Sequence, residues 1–223
     1  MVNEPAPMIE LPVLYRDTNL LVVNKPAGVP TLPDGYVKDA PNLRDLLTQQ
    51  HGRVWVVHRL DRDTSGVIVF ALSAEAHRAL NLQFDTHHVR KIYHALVVGT
   101  PDWDTQLIDL PLRPDGDRRH RTVIDRARGK VAVTHVQVLR RFDGYTLIEA
   151  APETGRTHQI RAHLAATGFP LVADALYGQG QSLGGLTRTA LHAHSIGFEH
   201  PITRTVLQFE APYPEDFEAA LKT

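Results

Sequence analysis

Val54-Trp55-Val56-Val57 and Val67-Ile68-Val69-Phe70-Ala71-Leu72 are joined by His58-Arg59-Leu60-Asp61-Arg62-Asp63-Thr64-Ser65-Gly66. Both apolar runs are short, largely β-branched or aromatic, and bounded by polar turn residues, which is the pattern of strands. Their connection presents Asp61 between Arg59 and Arg62. Nearby cations favour the ionised form of a carboxylate, the form that a nucleophile or base requires. Asp63-Thr64-Ser65-Gly66 has the composition of a turn, with side chains that bond nearby backbone and a glycine that tolerates positive φ. On residues alone, Asp61 is either a catalytic carboxylate or a turn and salt-bridge residue. A Ser-His-Asp arrangement through Ser65 lacks the G-x-S-x-G elbow. A glycosidase-like pair of Asp61 and Asp63 lacks the separation across a substrate that such pairs use.

Outward from this stretch, Leu20–Asn24 reads as a strand ending at a Lys-Pro-Ala-Gly turn. Asn42 caps a helix over Leu43–Gln50 with Gly52 beyond its end, and Ser73 caps another from Ala74 to Phe84. Further strands are expected at Lys91–Val98, Lys130–Phe142, Tyr145–Ala151 and Val206–Ala211, with Asp143-Gly144 turning a hairpin. Arg156 or Thr157 opens a helix to about Ala166, stopped by Gly168 and Pro170. Strands dominate and several are joined by hairpins, so the class is α+β with a mainly antiparallel sheet.

The 223 residues are enough to bury a substantial core. Cysteine is absent, which excludes disulfides and thiolate chemistry. Met1–Pro7 has neither the basic nor the apolar region of a secretory signal, and no apolar run reaches the roughly 20 residues that cross a bilayer. A cytoplasmic protein without a membrane partner is expected. A net charge of −1 and a pI of 6.9 do not announce a nucleic-acid binder. The distribution is less even than the total. Arg113, Arg118, Arg119, Arg121, Arg126, Arg128, Lys130, Arg140 and Arg141 lie close together against Asp115, Asp117 and Asp125, as a phosphate-binding patch or a solvated charged hairpin.

The His58–Gly66 segment closely resembles the signature of the RluA-type RNA pseudouridine synthases. Other segments resemble the family in the expected order. They are Leu14–Asp17, Val22–Gly28, Lys91–Ala95, Glu153–Leu164, Asp174–Gly178, Leu191–Ala193 and His200-Pro201. The resemblance covers most of the chain and implies a bent mixed sheet in two halves, with flanking helices and a central active-site cleft. It implies a single catalytic domain over 13–223 after a tail at 1–12, without an added N-terminal RNA-binding domain. The implied substrate is a uridine of large-subunit ribosomal RNA, transfer RNA or both, acted on by a monomer. Isomerisation involves no redox change or external group, so no cofactor and no metal are called for.

By the same resemblance Asp61 is the essential catalytic residue, attacking C1′ or removing a ribose proton. Arg161 pairs with it in a two-pronged geometry and orients it. Tyr93 stacks on the extruded uracil and assists at C5. Arg59 fills the space left by the flipped base, Arg62 contacts substrate beside it, and Ile160 and Leu191 line the uracil pocket. His58 belongs to the signature's scaffold. Read without the family, Arg161 is a structural ion-pair residue, Tyr93 a core tyrosine, and Ile160 and Leu191 ordinary core. Two other functions compete. One is an RNA-binding protein of the same fold without catalysis. The other is a metal-dependent hydrolase resting on the thirteen histidines, with zinc at His192, His194 and His200 or between His158 and His163 on one helix.

Overall fold

The computed structural model describes residues 11–33 and 40–223, so Met1–Pro7 and its reading lie outside the described residues. Among the described residues the framework is a ten-stranded sheet, accompanied by a two-stranded ribbon and four helices. Its first half holds β1 (Val13–Arg16), β2 (Leu20–Lys25), β3 (Trp55–Val56) and β4 (Ser65–Ala71). The second half holds β5 (Arg90–Val98), β10 (Tyr145–Pro152), β9 (Val133–Arg141) and β6 (Thr105–Asp109), and β7 (Leu112–Arg113) and β8 (Val123–Ile124) form the ribbon. β11 (Leu191–Glu199) joins the halves, giving the order β1-β2-β4-β11-β5-β10-β9-β6.

β11 is also where the sheet forks. Its first residues pair in parallel with β4, His192 opposite Ser65 and Ala193 opposite Gly66. From Ser195 onward the same edge pairs antiparallel with β12 (Val206–Glu210) instead. Every other ladder is antiparallel. Gly66 permits the junction. Its φ is +113°, and a Cβ there would stand 2.2 Å from the Ala193 carbonyl oxygen. Ser65 and Gly66 are thus the start of a strand rather than the end of a turn. The turn is one step earlier, closed by Thr64 N–H donating to the Asp61 carbonyl at 3.2 Å.

Burial follows the sequence pattern. All seven residues of β4 are buried, as an unbroken apolar run in a central strand requires, whereas β9 alternates and leaves one face exposed. Helix α1 (Leu43–His51) begins where Asn42 accepts the Asp45 N–H, and α2 (Ala74–Asp85) where Ser73 accepts the Ala76 N–H. Their Leu43, Leu47, Ala76 and Leu80 join one core with β2 and β4. A second core gathers β5, β9, β10 and helix α3 (Gln159–Ala166), and a third includes Phe217 of helix α4 (Glu215–Ala220).

Other expected boundaries shift as well. The strand expected at Val54–Val57 pairs only through Trp55 and Val56. Beyond it His58 takes over, its Nε2 accepting the Val69 N–H at 3.1 Å. The strand expected from Lys130 begins at Val133, because Lys130 exchanges backbone bonds with Leu112 at the ribbon. α3 starts at Gln159 rather than Arg156 or Thr157. His158 has φ 52°, which no right-handed helix accommodates, and the Gln159 side chain folds back to accept the Arg156 N–H and the Thr154 hydroxyl.

Candidate active site

The two halves meet at a cleft of about 550 Å³ whose walls include Arg59, Asp61, Lys91, Tyr93, His158, Ile160, Arg161 and Leu191. Asp61 comes from the β3–β4 connection in one half. Tyr93 comes from β5 and Arg161 from α3 in the other. A smaller chamber of about 280 Å³ shares Asp61, His158 and Arg161 with the main cleft, and Arg62 lines that chamber rather than the main cleft.

The segment carrying Asp61 is held by its backbone. The Leu60 carbonyl accepts the Thr31 hydroxyl at 2.9 Å, and the Asp61 carbonyl accepts the Thr64 N–H. The Arg62 carbonyl accepts both Lys25 Nζ and the Gly28 N–H at 2.9 Å, and the Asp63 carbonyl accepts Arg188 Nη1 at 2.9 Å. Four successive carbonyls are engaged, which fixes the direction of the side chain between them. Lys25 is fully buried and also reaches the Val29 and Pro26 carbonyls, at 2.7 and 2.9 Å. Burial pulls it down to about 7, against the charge of Asp63.

Arg161 does pair with Asp61, but not by its fork. Nη1 donates to Asp61 Oδ2 at 3.2 Å, while Nε and Nη2 take Asp174 Oδ2 and Oδ1 at 2.7 and 3.0 Å. The two-pronged partner is therefore Asp174, a fully buried carboxylate that also caps the Leu176 and Tyr177 N–H groups. Burial alone would raise Asp174 and lower Arg161. Their mutual hydrogen bonds and charges override it, holding Asp174 below and Arg161 above its ordinary value. The Arg161 guanidinium also lies over the Tyr177 ring at 5.1 Å. With its fork fixed, Arg161 offers Asp61 a single N–H from a defined direction.

Tyr93 faces the cleft from the strand face that also carries Lys91. Burial, with the Asp61 charge behind it, pushes the Tyr93 hydroxyl above its ordinary value, so it stays protonated at neutral pH. Ile160 and Leu191 are buried, line the cleft and also belong to the second core. Arg59 is exposed and spans the mouth, Nη2 donating to Thr157 Oγ1 at 3.2 Å. His58 is stacked on Phe84 at 4.7 Å and bonded to β4.

The histidines are placed otherwise than a metal site needs. His158 precedes α3, and His163 is buried with Nδ1 on Thr134 and Nε2 on Leu110, both at 2.9 Å. His192 and His194 share a strand face and pack with His94 and Tyr213, while His200 bonds Asp17 at 2.8 Å. Among the described residues no three such side chains form a ligand set. Four of the nine basic residues of the stretch are engaged in hydrogen bonds within the fold. Arg113 pairs with Asp125, Arg121 with Asp117 and Arg141 with Asp104, and Arg119 donates to the Ala175 carbonyl.

Sequence reasoning left Asp174 and Lys25 without roles and weighed His158 only as a zinc ligand, although all three lie in segments that resemble the family. The available signal was electrostatic: an arginine aimed at a carboxylate from a helix needs a second anchor, and a lysine closing an apolar strand needs acceptors. For Lys25, two acceptors are the neighbouring Pro26 and Val29 carbonyls, and only the Arg62 carbonyl is distant in sequence.

A cleft with one held carboxylate, an aromatic wall and a cationic mouth suits an enzyme that works on a nucleoside within a polyanion. Comparison with known proteins narrows that class. Residues 19–166 match the model of the RNA pseudouridylate synthase family, and the chain belongs to this family. It is 39% identical over 226 residues to the ribosomal large subunit pseudouridine synthase D of Pseudomonas aeruginosa, spanning 94% of this chain and 70% of that one. It is 37% identical over 203 residues to the dual-specificity RNA pseudouridine synthase RluA of Pasteurella multocida, spanning 91% and 93%. The structure of human RNA pseudouridylate synthase domain containing 4 superposes with a TM-score of 0.77 at 28% identity, covering 95% of this chain and 92% of that one. The protein is an isomerase that forms pseudouridine in RNA.

Proposed function

We propose that residues 13–223 act as one catalytic unit, a monomeric cytoplasmic enzyme that converts chosen uridines of ribosomal RNA, transfer RNA or both. The observation that carries the site reading is the seating of Asp61, with four successive carbonyls engaged and Arg161 on its carboxylate. The RNA offers a flipped uridine, which costs a few kcal/mol of lost stacking and pairing. The uracil enters against Tyr93, Ile160 and Leu191, and Arg59 takes up the space it leaves. Asp61 then attacks C1′ as the C1′–N1 bond breaks, or removes the C2′ proton to give a glycal as the same bond breaks. The freed uracil turns and C5 bonds to C1′, displacing the Asp61 carboxylate from C1′ on the first route or with Asp61 returning the proton to C2′ on the second, and the C5 proton passes to solvent. Tyr93, kept protonated, stacks on the base and presents its hydroxyl oxygen beside it.

The names of the relatives support ribosomal RNA, through the large subunit, and more than one kind of target, through dual specificity. Among the described residues no helix is long and apolar enough to cross a membrane. Mapping pseudouridine across total RNA from cells with and without this protein tests the reading. Particular sites in ribosomal or transfer RNA should lose the modification with the protein and regain it on complementation; an unchanged map in both classes would contradict it.

A further inference from the structure

The roles above leave His158 unassigned. It stands ahead of α3 in the left-handed region, and its side chain makes no capping bond to the helix. Helix capping therefore does not account for it. Nδ1 lies 3.1 Å from the Tyr177 hydroxyl, and Nε2 lies 3.7 Å from Asp61 Oδ2. The Tyr177 oxygen already accepts the Thr122 N–H at 2.8 Å. A Tyr177 proton directed to Nδ1 makes Nδ1 an acceptor and puts the imidazole proton on Nε2, the arrangement the proposal below adopts. That N–H faces Asp61. Arg161 Nη1 donates to the same carboxylate oxygen at 3.2 Å. Two donors directed at Oδ2 leave Oδ1 for the sugar.

We propose that His158 is a positioning residue: with Arg161 it selects the oxygen of Asp61 that meets the ribose, and Tyr177 sets the tautomer that allows this. The proposal rests on Asp61 being the catalytic carboxylate. The 3.7 Å separation closes when RNA fills the cleft, since catalytic hydrogen bonds are often long in free enzymes and tighten with substrate. Burial lowers His158 from its ordinary value, opposed by the Asp61 charge, in keeping with a neutral ring that donates through one nitrogen. The connection also reaches outward. Thr122 adjoins β8, so the charged ribbon supplies the N–H that orders Tyr177.

The test uses total RNA from cells lacking the protein, tritiated at uracil C5, because forming the C1′–C5 bond releases that hydrogen. Single-turnover release and RNA affinity are measured for four variants shown to be folded by circular dichroism. His158→Gln places an amide nitrogen where Nε2 was. His158→Asn places one only where Nδ1 was, and asparagine accepts the left-handed backbone. His158→Asn should slow release about tenfold or more, the span of one hydrogen bond to a charged group, at unchanged RNA affinity, while His158→Gln stays within about threefold of wild type. Tyr177→Phe, which frees the tautomer, should also slow release at unchanged affinity. Asp61→Asn is run alongside and should be inactive. His158→Asn at the wild-type rate, or Asn and Gln slowed equally, with Asp61→Asn inactive, would overturn the proposal alone. Wild-type activity in Asp61→Asn would overturn the site reading beneath it.

Discussion

The carboxylate at the centre of the cleft is oriented by a residue that is itself oriented. Arg161 spends its fork on Asp174 and turns one N–H toward Asp61. A lysine in its place carries the charge without the fork, and an asparagine at 174 keeps the shape without the charge. Arg161→Lys and Asp174→Asn should each reduce turnover about tenfold or more while RNA affinity changes little, as expected when an interaction made to the reacting group is lost. Turnover and affinity measured on the same RNA check this; equal losses in both would assign the pair to binding or folding instead. The prominence of Asp61 in sequence has a local cause, since its loop, its flanking arginines and its strands are contiguous. Asp174 is separated from Asp61 along the chain and meets it only through Arg161, so no spacing rule reveals it.

Elements were legible where local chemistry decides them. Asn42 and Ser73 cap the helices they precede, and Asp143-Gly144 turns β9 into β10. They were misread where a long-range contact decides. β3 stops after two residues because a histidine side chain replaces its pairing, and α3 starts late because His158 is left-handed. Gly66 has the composition of a turn residue but serves the close parallel contact of β4 with β11, which brings the two halves together beneath Asp61. Gly66→Ala combines positive-φ strain with a backbone collision and should cost about 2–4 kcal/mol of stability, with activity falling in step. Denaturant midpoints and turnover measure this. A wild-type midpoint would show that β4 and β11 can separate without consequence.

Across the whole molecule, the ring cluster behind the cleft ties the fold to pH. His192 accepts the Ser65 hydroxyl on Nδ1 and donates from Nε2 to the Ala211 carbonyl, at 2.9 and 3.1 Å, so the neutral ring is fully used. Its other neighbours include His194, Arg188 and Asp216. Burial first, and the neighbouring histidines next, bring His94 to about 4; burial likewise brings His192 to about 4. Between there and the ordinary value near 6.5 the unfolded chain binds more protons than the folded one. The stability these two rings confer is complete above about pH 6.5 and is lost as pH falls toward 4, by up to about 1.4 kcal/mol per unit for each ring. Denaturant midpoints at pH 7 and 5 should therefore fall less in His192→Gln than in wild type. Parallel slopes would place the acid sensitivity elsewhere. None of this was visible in sequence, where the same histidines suggested a metal.

The proposed mechanism turns on one carboxylate, and its amide is the most direct test. Asp61→Asn keeps the size of the side chain and removes the charge that attack or proton abstraction requires. Incubated with RNA from cells lacking the protein, it should form no pseudouridine above background while binding that RNA about as tightly as wild type and melting at a similar temperature. Pseudouridine formed at the wild-type rate would contradict the assignment of Asp61 as the residue that acts on the sugar.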